Sequence, residues 1–255
     1  MTFRFEEKTH TYWLGDRKMT GTTTILGVIN KPALIGWAAN MCADYVLDHA
    51  NKEALETNGF FMVAPEVVDQ ARTAHIRKRD TRATEGTNTH ALVEEYVKNC
   101  ITSGGGEAQT IETDDNQLHQ FADWAVTNKV TFLESEKVMY HPDWFVGGTT
   151  DLLFLLNGQK YIADIKTSKA VYYEAHVQMA AYRAMLEQMG ESDIHGSVII
   201  HLPPSGALQT YYHFDYETNL EVFKAALTIY RAKQMYDGME SDQRKERKQA
   251  KLSTK

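Results

Sequence analysis

Apolar residues in this chain fall into two kinds of run. In the C-terminal half, short blocks of β-branched and aromatic residues are bounded by Gly, Asn and Pro; earlier, apolar positions recur at helical spacing between polar ones. The clearest block is residues 147–169, GGTTDLLFLLNGQKYIADIKTSK, which reads as two apolar strands joined by Asn157-Gly158. Asn-Gly is a strong hairpin signal, because both turn residues must tolerate positive φ. A two-residue loop fixes the register. Leu156 then faces Gln159, and counting back places Asp151 opposite Asp164. Opposed residues share one face of a sheet, with Cβ atoms roughly 5 Å apart. Lys166, two residues beyond Asp164, lies on that face too. Two carboxylates so placed repel each other unless a cation sits between them. The pattern therefore predicts a divalent-metal site with a lysine beside it.

The flanking elements follow from the same reading. Residues 2–20 predict a small β-hairpin with a turn at Arg17-Lys18. Residues 22–50 predict two helices interrupted at Lys31-Pro32. Pro65 suits the first position of a helix running to about residue 82. Gly86 is expected to break it, and a further helix to cover 87–100. Gly104-Gly105-Gly106 marks a loop. Asp114 and Asp115 open a helix carrying Phe121, Trp124 and Ala125 at helical spacing. Strands are expected near 133–141, 148–156 and 159–166, a helix at 171–189, two strands in VIIHLPP and LQTYYHF, and a last helix at 217–236. The polar, basic tail after Gly238 is expected to be disordered. Strands framed by helices imply an α/β class. The expected organisation is a mostly helical region 1–130 forming a cap or one wall of a cleft, a core at 131–240 and a tail at 241–255.

Composition adds bounds. The 255 residues suit one large domain or a domain with an insertion, and 43% hydrophobic content allows a sizeable core. No apolar run approaches ~18 residues and the N-terminus has no signal-peptide core, so a cytoplasmic location with no membrane association is expected. Cys42 and Cys100 are the only cysteines. Two suggest a reducing compartment and cannot ligate a four-cysteine iron–sulfur cluster. The net charge is −7, but it is uneven: the tail 241–255 carries six basic and two acidic residues, leaving −11 for the rest. Arg72, Arg77, Lys78, Arg79 and Arg82 form a second basic cluster.

Asp151 followed by Asp164-Ile165-Lys166 resembles the motif of the PD-(D/E)XK nuclease superfamily. Gly86-Thr87-Asn88-Thr89-His90 resembles the G-x-x-x-H motif of its RecB-like branch. Gln178 to Tyr182, QMAAY, resembles that branch's Q-x-x-x-Y motif. Thr22-Thr23-Thr24-Ile25-Leu26, with Lys31-Pro32 and Trp37, resembles the start of phage-type and mitochondrial genome maintenance exonucleases. The resemblance spans roughly residues 10–215, with the motifs in the expected order. It implies a restriction-endonuclease-like central mixed β-sheet flanked by helices and a metal-dependent nuclease, most like a single-strand-preferring exonuclease of phage or DNA-repair type. An endonuclease of the same fold and an inactive DNA-binding module are the alternatives. It further implies one or two Mg²⁺ or Mn²⁺ ions held by His90, Asp151, Asp164 and the Ile165 carbonyl, with Lys166 assisting catalysis. The expected partner is DNA, single-stranded or with a free end, and a recombination or replication protein is a further candidate.

The residue types fit that chemistry. Phosphodiester hydrolysis needs a metal to polarise the phosphoryl group and activate water, and oxygen ligands suit Mg²⁺ or Mn²⁺. Lys166 has three open roles: orienting the water, assisting its deprotonation, or stabilising developing charge. His90 is a candidate ligand or an ordinary helix residue paired with Glu94 four residues on. Glu94 and Glu136 are candidates for supporting the ligands, and Glu136 for reaching the ions itself. Gln178 and Tyr182, one helical turn apart, either contact the substrate strand, support the active site, or form a polar helix edge. Thr22, Thr23 and Thr24 offer hydroxyls to phosphate or simply cap a helix. Trp37 and the Tyr12-Trp13 pair are stacking candidates that could equally be core. Arg77, Lys78 and Arg79 track a phosphate backbone or line a solvated helix face. Pro142-Asp143 is set aside as the motif, because it does not oppose Asp164. A small-molecule metallohydrolase would need the second histidine of a motif such as H-E-x-x-H.

Overall fold

The computed structural model describes residues 1–29, 31–50, 62–213 and 215–253. The chain is α/β, with a six-stranded mixed sheet flanked by helices. Its strands are β4 (Thr20–Gly21), β5 (Thr131–His141), β6 (Val146–Leu156), β7 (Gln159–Lys166), β8 (Ile194–His201) and β9 (Gln209–His213). β5 and β7 run antiparallel to β6, β4 runs parallel to it, β8 is parallel to β7, and β9 is antiparallel to β8. The Asn157-Gly158 turn has positive φ at both positions, 52° and 77°, as its sequence requires. The register follows from it: Leu156 pairs with Gln159 and Leu152 with Ala163, so Asp151 and Asp164 stand at the next step.

Alternation along β6 and β7 divides the sheet into two faces. Leu152, Phe154, Tyr161, Ala163 and Ile165 point to one, where helix α4 (Ala74–Gly104) contributes Val93, Tyr96, Val97 and Cys100 and helix α5 (Asn116–Thr127) contributes Leu118, Phe121 and Ala125. Leu153, Ile162 and Ile199 point to the other, against α1 (Thr22–Leu26), α6 (Tyr173–Gln188) and the first turns of α7 (Tyr216–Ser253). α5 starts as expected, with the Asp115 carboxylate accepting from Leu118 N at 2.8 Å. Among the described residues no helix is long and apolar enough to cross a membrane.

Several expectations need correction. Arg17-Lys18 is not a turn but strand β3, the third of a small antiparallel sheet with β1 (Phe3–Glu6) and β2 (Thr11–Leu14). The turn falls at Gly15, whose φ of 61° suits glycine. Gly86 does not break a helix. It lies inside α4, because one glycine costs only about 1 kcal/mol against the helix formers around it. The helix from Pro65 is short: α3 (Pro65–Ala71) stops before α4 begins. The tail continues α7 to Ser253, supported by same-helix pairs such as Arg244–Glu240 and Lys245–Asp242. One compact unit comprises residues 1–29 with 92–255, and the other residues 30–91, including α2 (Pro32–Asp48) and α3.

Candidate active site

The site forms where β6 loses a neighbour. β5 pairs along the whole length of one edge of β6, so β4 and β7 must share the other. β4 pairs at Val146 and Gly147, and β7 from Leu152 onward, which leaves residues 148–151 facing an opened edge. Side chains take over the ladder there. Thr150 Oγ1 donates to Ala163 O at 2.8 Å, and Asp151 Oδ2 accepts from Ile165 N at 2.6 Å. Ile165 therefore presents its backbone polar groups to this opening, its carbonyl on the same strand edge as its N–H.

Asp164 is buried, 4% exposed, and its Oδ2 lies 2.5 Å from Lys166 Nζ. That ammonium is the close partner of an otherwise buried carboxylate oxygen. Burial, reinforced by the neighbouring Asp164 carboxylate, pushes the Asp151 carboxyl well above its ordinary range, although the Ile165 amide opposes this. Burial alone would lower Lys166, but Asp164 and Asp151 outweigh it and hold the ammonium above its usual range. Lys166 also donates to Gln178 Oε1 at 3.3 Å, and Gln178 Nε2 donates to the Tyr182 hydroxyl at 2.6 Å. Both partners are buried on α6, so they steady the lysine from behind. Burial, then Asp164, raises the Tyr182 hydroxyl well above its ordinary range.

A third carboxylate joins from β5. Ser135 pairs with Leu152 and Lys137 with Thr150, which sets Glu136 beside Asp151, with φ of 52° at Glu136. Burial, then the charges of Glu94 and Asp164, raises Glu136 from 4.5 to about 7. Glu94, on α4, is ion-paired to Lys98. The sequence named Glu136 but could not place it, since its step depends on a register shift between Phe132 and Glu134.

Two glycines let aromatic rings approach the opening. A Cβ on Gly147 would lie 2.3 Å from Tyr12 Cγ, and one on Gly148 2.6 Å from Tyr182 Cε1. Tyr12 is core, its hydroxyl 3.0 Å from Thr149 Oγ1. Thr22 is buried, and its hydroxyl donates to Gly147 O at 3.0 Å, so it ties α1 to β6 rather than facing solvent. Thr23 and Thr24 are exposed.

The remaining candidates lie in the unit of residues 30–91. Trp37 is half-buried, edge-on to His75 with centroids 6.4 Å apart. Arg77, Lys78 and Arg79 are exposed. Arg77 lies over the Tyr45 ring and donates to Thr73 Oγ1, and Arg79 pairs with Asp80. His90 is half-buried on α4, and its assignment as a ligand is carried by the sequence resemblance alone.

Among the described residues, no three His, Cys, Asp or Glu side chains already converge as a closed set of ligands. The donor set still fits a hard cation. Its members are oxygens, one carboxylate oxygen is buried against a lysine ammonium, and two carboxyls are held above their ordinary range by burial and then by neighbouring charge.

No family model matches the chain, and no curated protein matches it. Among solved structures, 57% of this chain aligns with 88% of the chain described as "Crystal structure of SSO0001", at 10% identity and a TM-score of 0.27. A likeness at that level carries no argument.

Proposed function

We propose that the chain is a metal-dependent DNA nuclease with the restriction-endonuclease-like core of the PD-(D/E)XK superfamily, of its RecB-like branch, acting as an exonuclease on single strands. One observation carries the reading: Asp151 and Asp164 meet at the opened edge of one hairpin, with Lys166 paired to Asp164 and braced by Gln178 and Tyr182. A structural hairpin end has no need to bury an acid against a lysine, since burying the acid costs more than exposed placement.

Asp151, Asp164 and the Ile165 carbonyl are the groups that would hold Mg²⁺ or Mn²⁺, with Glu136 beside them and His90 assigned by resemblance. The ion, when bound, supplies charge that polarises the scissile phosphoryl group and acidifies water. Asp151 is fixed for this by the Ile165 amide. Lys166 is held as an ammonium by Asp164 and Asp151, so of its three roles it is best suited to donating hydrogen bonds to the attacking water and to the negative charge that develops on phosphate. Gln178 keeps its Nζ aimed, because its amide nitrogen is committed to Tyr182 and its oxygen is left for the lysine. Glu136, held near neutrality, can accept a proton released there.

Digestion of end-labelled linear and covalently closed single-stranded DNA, with Mg²⁺ and with Mn²⁺, tests the reading. Linear strands should be degraded and circles resist. Comparable nicking of circles would replace the exonuclease with an endonuclease of the same fold, and no cleavage of either would remove the nuclease assignment.

A further inference from the structure

We infer that Tyr173, His176 and Tyr211 form a stacking subsite for unpaired nucleobases of single-stranded DNA, next to the Lys166 end of the catalytic strand. The inference rests on the nuclease reading and adds to it the substrate feature that is gripped.

The placement follows from strand register. β8 runs parallel to β7 with His201 beside Lys166, so the two side chains share a face. β9 then sets Tyr211 beside Ile199 and Gln209 beside His201, again on that face. The ring centroids of His201 and Tyr211 are 6.3 Å apart, those of Tyr211 and His176 6.5 Å, and those of His176 and Tyr173 6.5 Å. The row thus runs from the lysine strand outward to the first residues of α6, the helix whose Gln178 braces Lys166.

Its exposure is unusual for this face. Elsewhere the face is covered by buried aliphatic side chains, yet here Tyr211 is 36% exposed and Tyr173 52%. Burial, partly opposed by Glu174, holds the His176 imidazole below its ordinary range, which favours its neutral form. A buried polar atom lies beneath them. His201 is 4% exposed, its Nε2–H donates to Ser168 O at 2.7 Å, and the acceptor Nδ1 is buried with no hydrogen-bond partner. Every base has a π-face that such rings can stack on regardless of sequence. Paired bases keep their faces covered by their neighbours, so this surface selects strands that are already single.

The test compares oligothymidylate with an abasic oligomer of equal length, which keeps the phosphates and lacks the bases. Binding is measured on the full chain in EDTA. The parent should bind oligothymidylate more tightly than the abasic strand. Tyr173→Ala and Tyr211→Ala should each weaken oligothymidylate binding about tenfold and leave abasic binding unchanged. Tyr211→Phe, which keeps the ring and loses the hydroxyl contact to Gln209, should bind like the parent. Equal affinity of the parent for both oligomers, or equal losses on both in the alanine variants, would overturn the subsite. Cleavage of the same oligothymidylate by the parent with Mn²⁺ reads the nuclease assignment separately: cleavage with unaltered KM in both alanine variants sinks the subsite alone, and no cleavage sinks the nuclease.

Discussion

The two faces of the β6–β7 hairpin are made by alternate residues of the same strands, and they do opposite things. On one, Phe154 and Tyr161 join Phe121, Phe132 and Tyr96 in an interlocked aromatic core, with Phe121 and Phe132 stacked at 6.0 Å. On the other, the pairing of the same strands ends beside Asp151, Asp164 and Lys166, where two carboxyls and an ammonium are held together at a cost in desolvation. Each face is packed over most of its area, and the groups that repel one another are confined to the end of one of them. The two faces should therefore separate cleanly under mutation.

The largest expected contrast is between Phe154→Ala and Lys166→Ala. Removing the fully buried ring should cost about 3–5 kcal/mol of stability, seen in chemical denaturation, with residual activity tracking the folded fraction. Lys166→Ala should lower the cleavage rate of the folded protein by about 10²–10³-fold, far more than any loss of folded fraction accounts for. A stable Phe154→Ala protein, or a Lys166→Ala protein that unfolds, would break the comparison.

Gly148→Ala should fall between them. The added methyl meets Tyr182 at 2.6 Å, so either the ring or α6 must move, at about 1–3 kcal/mol, and the brace on Lys166 is disturbed with it. Thermal unfolding and turnover should both drop. Unchanged turnover would show that Tyr182 does not position the lysine.

A smaller effect is a pH slope confined to the polar face. Glu136 loses its proton near 4.5 when unfolded and at about 7 when folded. Between those values the folded state binds more protons than the unfolded state. Its contribution to stability is therefore full below about 4.5 and is lost as pH rises through about 7. Glu136→Gln should flatten that part of the stability profile, measured by denaturation from pH 5 to 8. A profile that keeps its slope would place the titration elsewhere. The smallest effect belongs to the exposed basic helix: removing Arg77, Lys78 and Arg79 together should flatten the salt dependence of DNA binding and spare the rate at saturating DNA.

What the sequence made legible was local. The Asn157-Gly158 turn set the hairpin register from its own chemistry, and with it the meeting of Asp151, Asp164 and Lys166. The one-turn spacing of Gln178 and Tyr182 put both on one helix face, but that they hold Lys166 needed the packing of α6 against the sheet. Glu136 was named from its place on the preceding strand, but its exact step beside Asp151 depends on a register shift that leaves no residue pattern. Thr22 looked like a phosphate-binding hydroxyl, and its commitment to the Gly147 carbonyl arises only from the pairing of β4 with β6. Gly86 misled because a glycine's helix penalty is small against thirty other residues' preference. Residues that are near in sequence were read well, and those joined by strand pairing across long separations were not.

The central claim is that the paired acids hold the ion on which cleavage depends, and metal-titrated cleavage of linear single-stranded DNA by parent and Asp164→Ala proteins tests it most directly. The parent should be inactive in EDTA and activated by Mg²⁺ or Mn²⁺, while a folded Asp164→Ala protein should stay inactive at every metal concentration. Near-normal turnover by Asp164→Ala, or cleavage by the parent in EDTA, would contradict the account.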